Sequence, residues 1–159
     1  MHRYLIFGNS GSGKTTLARS LARGHGLAHL DLDQLAWSAP GVRLPFVESE
    51  AAIRAFLQRE TAWVIEGCYA DLLEVALPFC TELRFLNPGT EACVANCRAR
   101  PWEPEKYPSK EAQDEMLAFL LDWVRQYERR DDEYSLRRHR QLFDRFAGTK
   151  TEITALTPA

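Results

Sequence analysis

Gly8-Asn9-Ser10-Gly11-Ser12-Gly13-Lys14-Thr15 is the stretch that decides the fold; the apolar run Tyr4-Leu5-Ile6-Phe7 precedes it and a helix-like run, Thr16 to Arg23, follows. It fits G-x-x-x-x-G-K-S/T at every fixed position. Its glycines let the backbone curl tightly without Cβ clashes, so that successive N–H groups point into one small volume. A helix starting directly behind the loop adds the positive end of its dipole. A phosphate chain is the ligand such a cradle suits. Lys14 supplies a mobile point charge for the terminal phosphate oxygens and Thr15 a hydroxyl for Mg²⁺. Gly8, Asn9, Ser10, Gly11, Ser12, Gly13, Lys14, Thr15 and Thr16 are therefore the candidate nucleotide-binding residues. A purely structural glycine-rich turn is the alternative, but here strand, loop, Lys-Thr and helix stand in register.

Outward from the loop, the chain alternates strand-like and helix-like stretches. Arg3 to Gly8 reads as the first strand, and the helix from Thr15 to about Arg23 is stopped by Gly24 and Gly26. Ala28 to Asp33 reads as a second strand with Asp31 and Asp33 on one face. Trp37 to Phe46, broken by Pro40, Gly41 and Pro45, reads as a loop, and Glu48 to Glu60 as an amphipathic helix. Trp63 to Gly67 is the third strand, 71–77 a short helix closed by Pro78, and Glu82 to Leu86 the fourth strand. A helix from Thr90 to Arg98 or Arg100 leads into an irregular stretch punctuated by Pro101, Pro104 and Pro108. Ala112 to Arg130 reads as a long helix with Met116, Phe119, Leu120, Trp123, Val124 and Tyr127 on one side. A further helix, Glu133 to Phe146, carries Arg137, Arg138, Arg140 and Arg145, and Thr151 to Leu156 reads as a last strand. Strands alternating with helices imply an α/β fold with a parallel sheet.

The composition fits one soluble globular domain: 159 residues, 45% hydrophobic and 26% charged. A formal charge of −2 creates no global field to gather nucleic acid or anionic membrane. No apolar run approaches the roughly 20 residues a membrane helix needs, and with a strand starting at Arg3 no signal peptide is expected. A cytoplasmic protein is the expectation. The four cysteines, at 68, 80, 93 and 97, lack the His or Cys partners of a zinc site and are expected to be reduced and mostly buried.

Asp31, Asp33 and Glu66 all fall at strand ends, which in parallel α/β sheets border the ligand crevice. Phosphoryl transfer needs carboxylates there, to hold Mg²⁺ through its waters and to orient or deprotonate an attacking hydroxyl. Trp37, Tyr69 and Trp102 are candidates either for lining an acceptor pocket or for packing.

Taken together, the phosphate loop, the Asp31-Leu32-Asp33 strand end, the Trp63-Val64-Ile65-Glu66-Gly67 strand and the Arg-rich tail resemble the adenylate kinase and shikimate kinase group of P-loop small-molecule kinases. Within the group, the Leu-Asp-x-x-x-Trp and Trp-Val-Ile-Glu-Gly-x-Tyr runs are most similar to bacterial adenylate-kinase-like proteins known as DNA topology modulation proteins. The resemblance spans nearly the whole chain. It implies a P-loop NTPase fold: three α/β/α layers, a mainly parallel five-stranded sheet, and a lid at approximately 100–111 within a single domain of residues 1–159. It also implies ATP and Mg²⁺, with phosphoryl transfer to a small hydroxyl- or phosphate-bearing acceptor. Thr15, Asp31 and Glu66 would support the metal, while Asp33, Trp37, Glu66, Gly67 and Tyr69 would surround the acceptor. Gly67 would let the acceptor approach the backbone. Lys14, Asp33, Arg100 and Arg138 would be catalytic, and Arg98 would meet the nucleotide.

The acceptor side departs from that group. The second strand ends in Asp-Leu-Asp where nucleotide monophosphate kinases carry Thr-Gly, and the following helix offers only Arg54 and Arg59. That argues against AMP and toward a smaller hydroxyl compound. The glycine triplet that binds shikimate is also replaced, by Glu66-Gly67-Cys68-Tyr69. Two alternatives are a nucleotide-dependent regulator acting on DNA or a protein partner, and a plain NTPase. The mixed signs along Arg125 to Arg145 argue against direct nucleic-acid binding. A monomer or small homo-oligomer is expected.

Overall fold

A computed structural model describes residues 1–39 and 41–155. The elements in chain order are β1 (Arg3–Gly8), α1 (Lys14–His25), β2 (Ala28–Asp31), α2 (Asp33–Ala36), β3 (Trp37–Ala39), β4 (Val42–Arg43) and α3 (Phe46–Arg59). They are followed by β5 (Trp63–Gly67), α4 (Ala70–Ala76), β6 (Glu82–Leu86), α5 (Thr90–Ala99), α6 (Lys110–Arg125), α7 (Leu136–Arg145) and β7 (Thr149–Ile153). Five strands form one parallel sheet in the order β2-β5-β1-β6-β7. The first strand in the chain is central, so the loop that leaves it opens at the middle of the sheet's C-terminal edge.

Period-two alternation on β1 builds the three layers. Leu5 and Phe7 face one way and join Ile65, Leu83 and Phe85 against Ile53 of α3, Leu72 and Leu73 of α4 and Leu142 of α7. Tyr4 and Ile6 face the other way and meet Ala18 of α1, with Leu17 and Leu21 packed alongside. Leu5, Ile6 and Phe7 are wholly buried, as strands covered on both faces require. A third cluster, Cys93, Val94 and Cys97 of α5 with Leu121 and Val124 of α6, fastens the helical pair around the Pro-rich segment.

Several sequence expectations shift. Gly24 lies inside α1, which runs on to Gly26, a residue in left-handed conformation whose N–H caps the helix. The stretch from Trp37 is a two-stranded antiparallel hairpin, β3–β4, rather than a loop, and α3 begins two residues early at Phe46; Pro40 lies outside the described residues. β2 stops at Asp31, and Asp33 opens the short helix α2, so the two aspartates do not share a strand face. Pro78 sits within a 3₁₀ turn, 77–79, that continues α4. α6 starts at Lys110 because the Ser109 side chain caps it, and ends at Arg125 rather than Arg130. Its inward residues include Gln113, Leu121 and Val124, whereas Met116 and Phe119 are exposed. α7 likewise waits for a cap, Ser135. β7 starts at Thr149, and Leu156 lies outside the described residues.

Buried His139 on α7 ties the tail to the sheet. Its Nε2 lies 2.8 Å from the Cys68 carbonyl, which can only accept, so Nε2 donates and Nδ1 accepts from the Tyr127 hydroxyl at 2.7 Å. Burial pulls the imidazole pKa down to about 3, so it stays neutral. No helix among the described residues is long and apolar enough to cross a membrane.

Candidate active site

The loop after β1 is held by its neighbours on α5 and α6. Asn9 is buried; its amide donates to the Val124 carbonyl at 3.1 Å and its side-chain oxygen accepts from Ser10 N–H at 2.9 Å. Asn96 of α5 donates to the Gly11 carbonyl at 2.7 Å. Gly11 has φ +81°, and a Cβ there would lie 2.3 Å from the Cys93 carbonyl oxygen and 2.8 Å from Cys97 Sγ. Only glycine lets loop and helix meet that closely.

The turn bond from Ser12 N–H to the Asn9 carbonyl and the first helical bond, from Leu17 N–H to the Gly13 carbonyl, leave four consecutive donors between them. The N–H groups of Gly13, Lys14, Thr15 and Thr16 have no protein acceptor among the described residues. Four open donors at the start of a twelve-residue helix make an anion cradle. Lys14 folds back on the loop, its Nζ 2.7 Å from the Asn9 carbonyl.

Glu66, at the end of β5, is 2% exposed and has both oxygens engaged. Oε1 accepts from the Thr15 hydroxyl at 2.6 Å and Oε2 from His29 Nε2 at 2.8 Å. Glu66 is thus tied to the loop through Thr15, and His29 is a partner that the sequence did not reveal. Parallel register puts Asp31 opposite Glu66. Burial, with the charges of Asp33 and Glu66 added, raises the Asp31 carboxyl pKa to about 6. No three His, Cys, Asp or Glu side chains among the described residues converge as a metal centre.

Asp33 is drawn back to Asp31 at the head of α2: its N–H donates to Asp31 Oδ1 at 2.9 Å. Its own Oδ1 accepts from the Tyr69 hydroxyl at 2.5 Å, and that hydroxyl accepts from Trp37 Nε1 at 2.9 Å. Lys106 Nζ reaches Oδ2 at 3.1 Å. Burial opposes the Asp33 charge, yet Lys106 and Tyr69 hold its pKa below the usual carboxylate value. Gly67 packs closely on α2's N-cap, since a Cβ there would fall 2.9 Å from Leu32 Cβ and Cδ1.

The arginines separate by partner. Arg100 donates to Ser10 Oγ at 3.4 Å and so touches the loop, whereas Arg98 is exposed with no ion pair among the described residues. Arg138 pairs with Glu74 at 3.3 Å, and no contact joins it to the loop. Its neighbours are committed too: Arg137 to Asp131 at 3.0 Å, Arg140 to Glu152 at 2.7 Å, and Arg145 to Glu74 at 3.5 Å. Among the described residues, each of the four α7 arginines has a carboxylate partner.

Arg130 behaves differently. Its guanidinium stacks 3.9 Å from the Trp123 ring centre, its side chain is 10% exposed, and Nε, Nη1 and Nη2 are all buried without a hydrogen-bond partner. Asp132 Oδ1 is near at 3.6 Å, beyond hydrogen-bonding contact. Burial lowers the Arg130 pKa. A buried fork with open donors suits an anion. Arg43, on the hairpin, bonds the Tyr134 hydroxyl at 2.6 Å and lies 4.9 Å over the Tyr69 ring, bracing the Trp37–Tyr69–Asp33 chain.

A pocket of about 300 Å³ lined by Arg3, Arg54, Leu57, Gln58, Trp63 and Phe79 lies at the opposite, N-terminal end of β1 and β5. Its lining has none of the carboxylates gathered at the C-terminal edge.

No protein-family model matches the chain, and no curated protein matches it. Among solved structures, a shikimate kinase from Acinetobacter baumannii, in complex with shikimate, superposes on all of this chain and on 87% of its own, with TM-score 0.54 and 15% identity. A gluconokinase from Sinorhizobium meliloti 1021 is similar over 98% of this chain and 84% of its own, with TM-score 0.50 and 17% identity. The chain therefore has the three-layer fold of P-loop small-molecule kinases.

Proposed function

We propose that this protein is an ATP- and Mg²⁺-dependent kinase that phosphorylates a small acceptor through a hydroxyl presented to Asp33. The observation that carries it is the juxtaposition, at one sheet edge, of four open N–H donors with Lys14 and of a carboxylate pre-oriented by Tyr69. The acceptor oxygen bonds to the γ-phosphorus as the bond to the β–γ bridging oxygen breaks. Its proton passes to Asp33, and the bridging oxygen leaves on ADP. Lys14, Arg100 and Arg130 stabilise charge on the transferring group.

The Mg²⁺ donor set is oxygen-only, which suits a hard cation. The Thr15 hydroxyl spends its hydrogen on Glu66, leaving its oxygen lone pairs for the metal. With no three-ligand cluster among the described residues, Asp31 and Glu66 would act through metal-bound water. Bound Mg²⁺ would neutralise charge on the β- and γ-phosphate oxygens.

Residues 1–159 then act as one cytoplasmic catalytic domain with a lid at approximately 100–111. The paired arginines of α7 favour this function over a regulator that binds DNA directly. The decisive experiment is an ADP-release screen with ATP and Mg²⁺ against nucleosides, nucleotides, sugars and hydroxy acids, run in parallel on Lys14→Ala. At least one acceptor should lift ADP release above the water rate, and Lys14→Ala should abolish it. No acceptor effect, or a Lys14→Ala protein that binds ATP like the parent, would refute the proposal.

A further inference from the structure

Lys106 stands in the Pro-interrupted segment between α5 and α6. Polar contacts inside 101–109 are otherwise local: Trp102 Nε1 donates to the Tyr107 carbonyl, Glu103 N–H to Gln113, and Gln113 to the Pro101 carbonyl. Among the described residues, Lys106 alone in 101–109 hydrogen-bonds or pairs beyond residues 100–113. Its Nζ lies 3.1 Å from Asp33 Oδ2 and 3.2 Å from Glu103 Oε2. Since Asp33 Oδ1 is already bonded to Tyr69, both oxygens of the carboxylate carry a partner before any substrate arrives.

The two occupants differ in how easily they leave. Tyr69 is buried and anchored by Trp37, so Oδ1 is fixed. The Lys106 side chain is 39% exposed on a flexible stem, and Glu103 travels with it in the same segment. Leaving Asp33 therefore does not strand the ammonium without a carboxylate.

We propose that Lys106 is the specificity-determining residue that separates the acceptor from water, by occupying Asp33 Oδ2 and holding segment 101–109 over the site until an acceptor hydroxyl replaces it. This rests on the kinase function proposed above. In the competing hydrolysis, a water oxygen bonds to the γ-phosphorus, its proton passes to Asp33, and the bridging oxygen leaves on ADP, giving ADP and inorganic phosphate. In that step water competes with Lys106 for the Asp33 carboxylate. Water brings no further contacts to offset breaking the ion pair, whereas an organic acceptor brings the rest of its structure. A latched segment also keeps bulk water from the γ-phosphate.

The test uses the full chain as parent, Lys106→Met, Asp33→Asn and the double variant. Amide hydrogen exchange over 102–108 is followed without nucleotide, ATP affinity by calorimetry, and ADP release with ATP and Mg²⁺ but no acceptor. Lys106→Met should speed exchange severalfold and raise acceptor-independent hydrolysis about tenfold. Asp33→Asn should speed exchange equally without raising hydrolysis, and the double variant should exchange no faster than either single one. Lys106→Arg should restore slow exchange. Unchanged exchange in Lys106→Met overturns the proposal, as does faster exchange with flat hydrolysis in a protein that binds ATP. A parent that fails to bind ATP overturns the kinase function itself, and the proposal with it.

Discussion

Replacing Arg130 by methionine should leave the ligand-free protein about as stable while removing much of its catalytic power, and the two magnitudes come from separate features. In the free protein the guanidinium loses water on all three nitrogens and gains no hydrogen bond. An unsatisfied buried polar group costs about 1–3 kcal/mol. Against that stand the stacking on Trp123, worth about 1–2 kcal/mol when desolvated, and the loose pairing with half-exposed Asp132, worth at most about 1 kcal/mol. These nearly cancel, so the net change should stay within about 1 kcal/mol, or about 2–4 °C in Tm for a chain of this size. In the proposed kinase the fork would donate charge-assisted bonds to the phosphates worth about 1.5–3 kcal/mol each. Loss of one or two corresponds to a fall in kcat/KM of roughly 10- to 10⁴-fold. Calorimetric unfolding without ligand and steady-state ADP release with the acceptor found by screening measure the two numbers. A Tm loss beyond about 8 °C, or unchanged kcat/KM, would refute an anion-binding role. Arg130→Lys, keeping the charge without the fork, should fall between.

Two other perturbations address the loop and the acid cluster. Gly11→Ala should destabilise by about 2–3 kcal/mol and weaken ATP binding, because φ +81° and the Cys93 carbonyl at 2.3 Å both oppose a Cβ. Gly24→Ala, where a Cβ meets nothing within 4 Å inside α1, should instead stabilise by about 0.5–1 kcal/mol; equal Tm values for the two variants would contradict both. Asp31→Asn keeps the side-chain oxygen that accepts from Asp33 N–H and should raise the ligand-free Tm at pH 8. The folded carboxyl pKa is raised from 3.8 to about 6, so folding favours its protonated form; that stabilisation is complete below pH 3.8 and lost as pH rises through 6. The gain should therefore vanish in melts below about pH 4, and a gain independent of pH would count against it.

The phosphate loop was legible because its chemistry is local. The glycines, Lys14 and Thr15 fall within eight consecutive positions with the helix directly behind them, and the bounds of β1, β5 and β6 follow from apolar runs that must be buried on both faces. Boundaries set by caps were less legible: Ser109 and Ser135 start α6 and α7 through side-chain bonds that hydrophobic periodicity does not register. The hairpin at 37–43 was hidden by its turn residues, and the exposure of Met116 and Phe119 by the assumption that apolar residues face inward.

The sequence by itself determined the parallel α/β architecture and the phosphate cradle, since burial pattern and backbone conformation depend on residues near one another in the chain. Tertiary structure alone decided how the side chains divide the work. Glu66 went to Thr15 on α1 and to His29 on the neighbouring strand, Gly67 to Leu32, and Asp33 to Tyr69 and a lysine 73 positions away. It also committed Arg138 to a carboxylate while leaving Arg130 buried with its donors open. Those outcomes depend on distances between segments remote in sequence, and on which of several similar charges is desolvated without a partner, so no spacing along the chain encodes them.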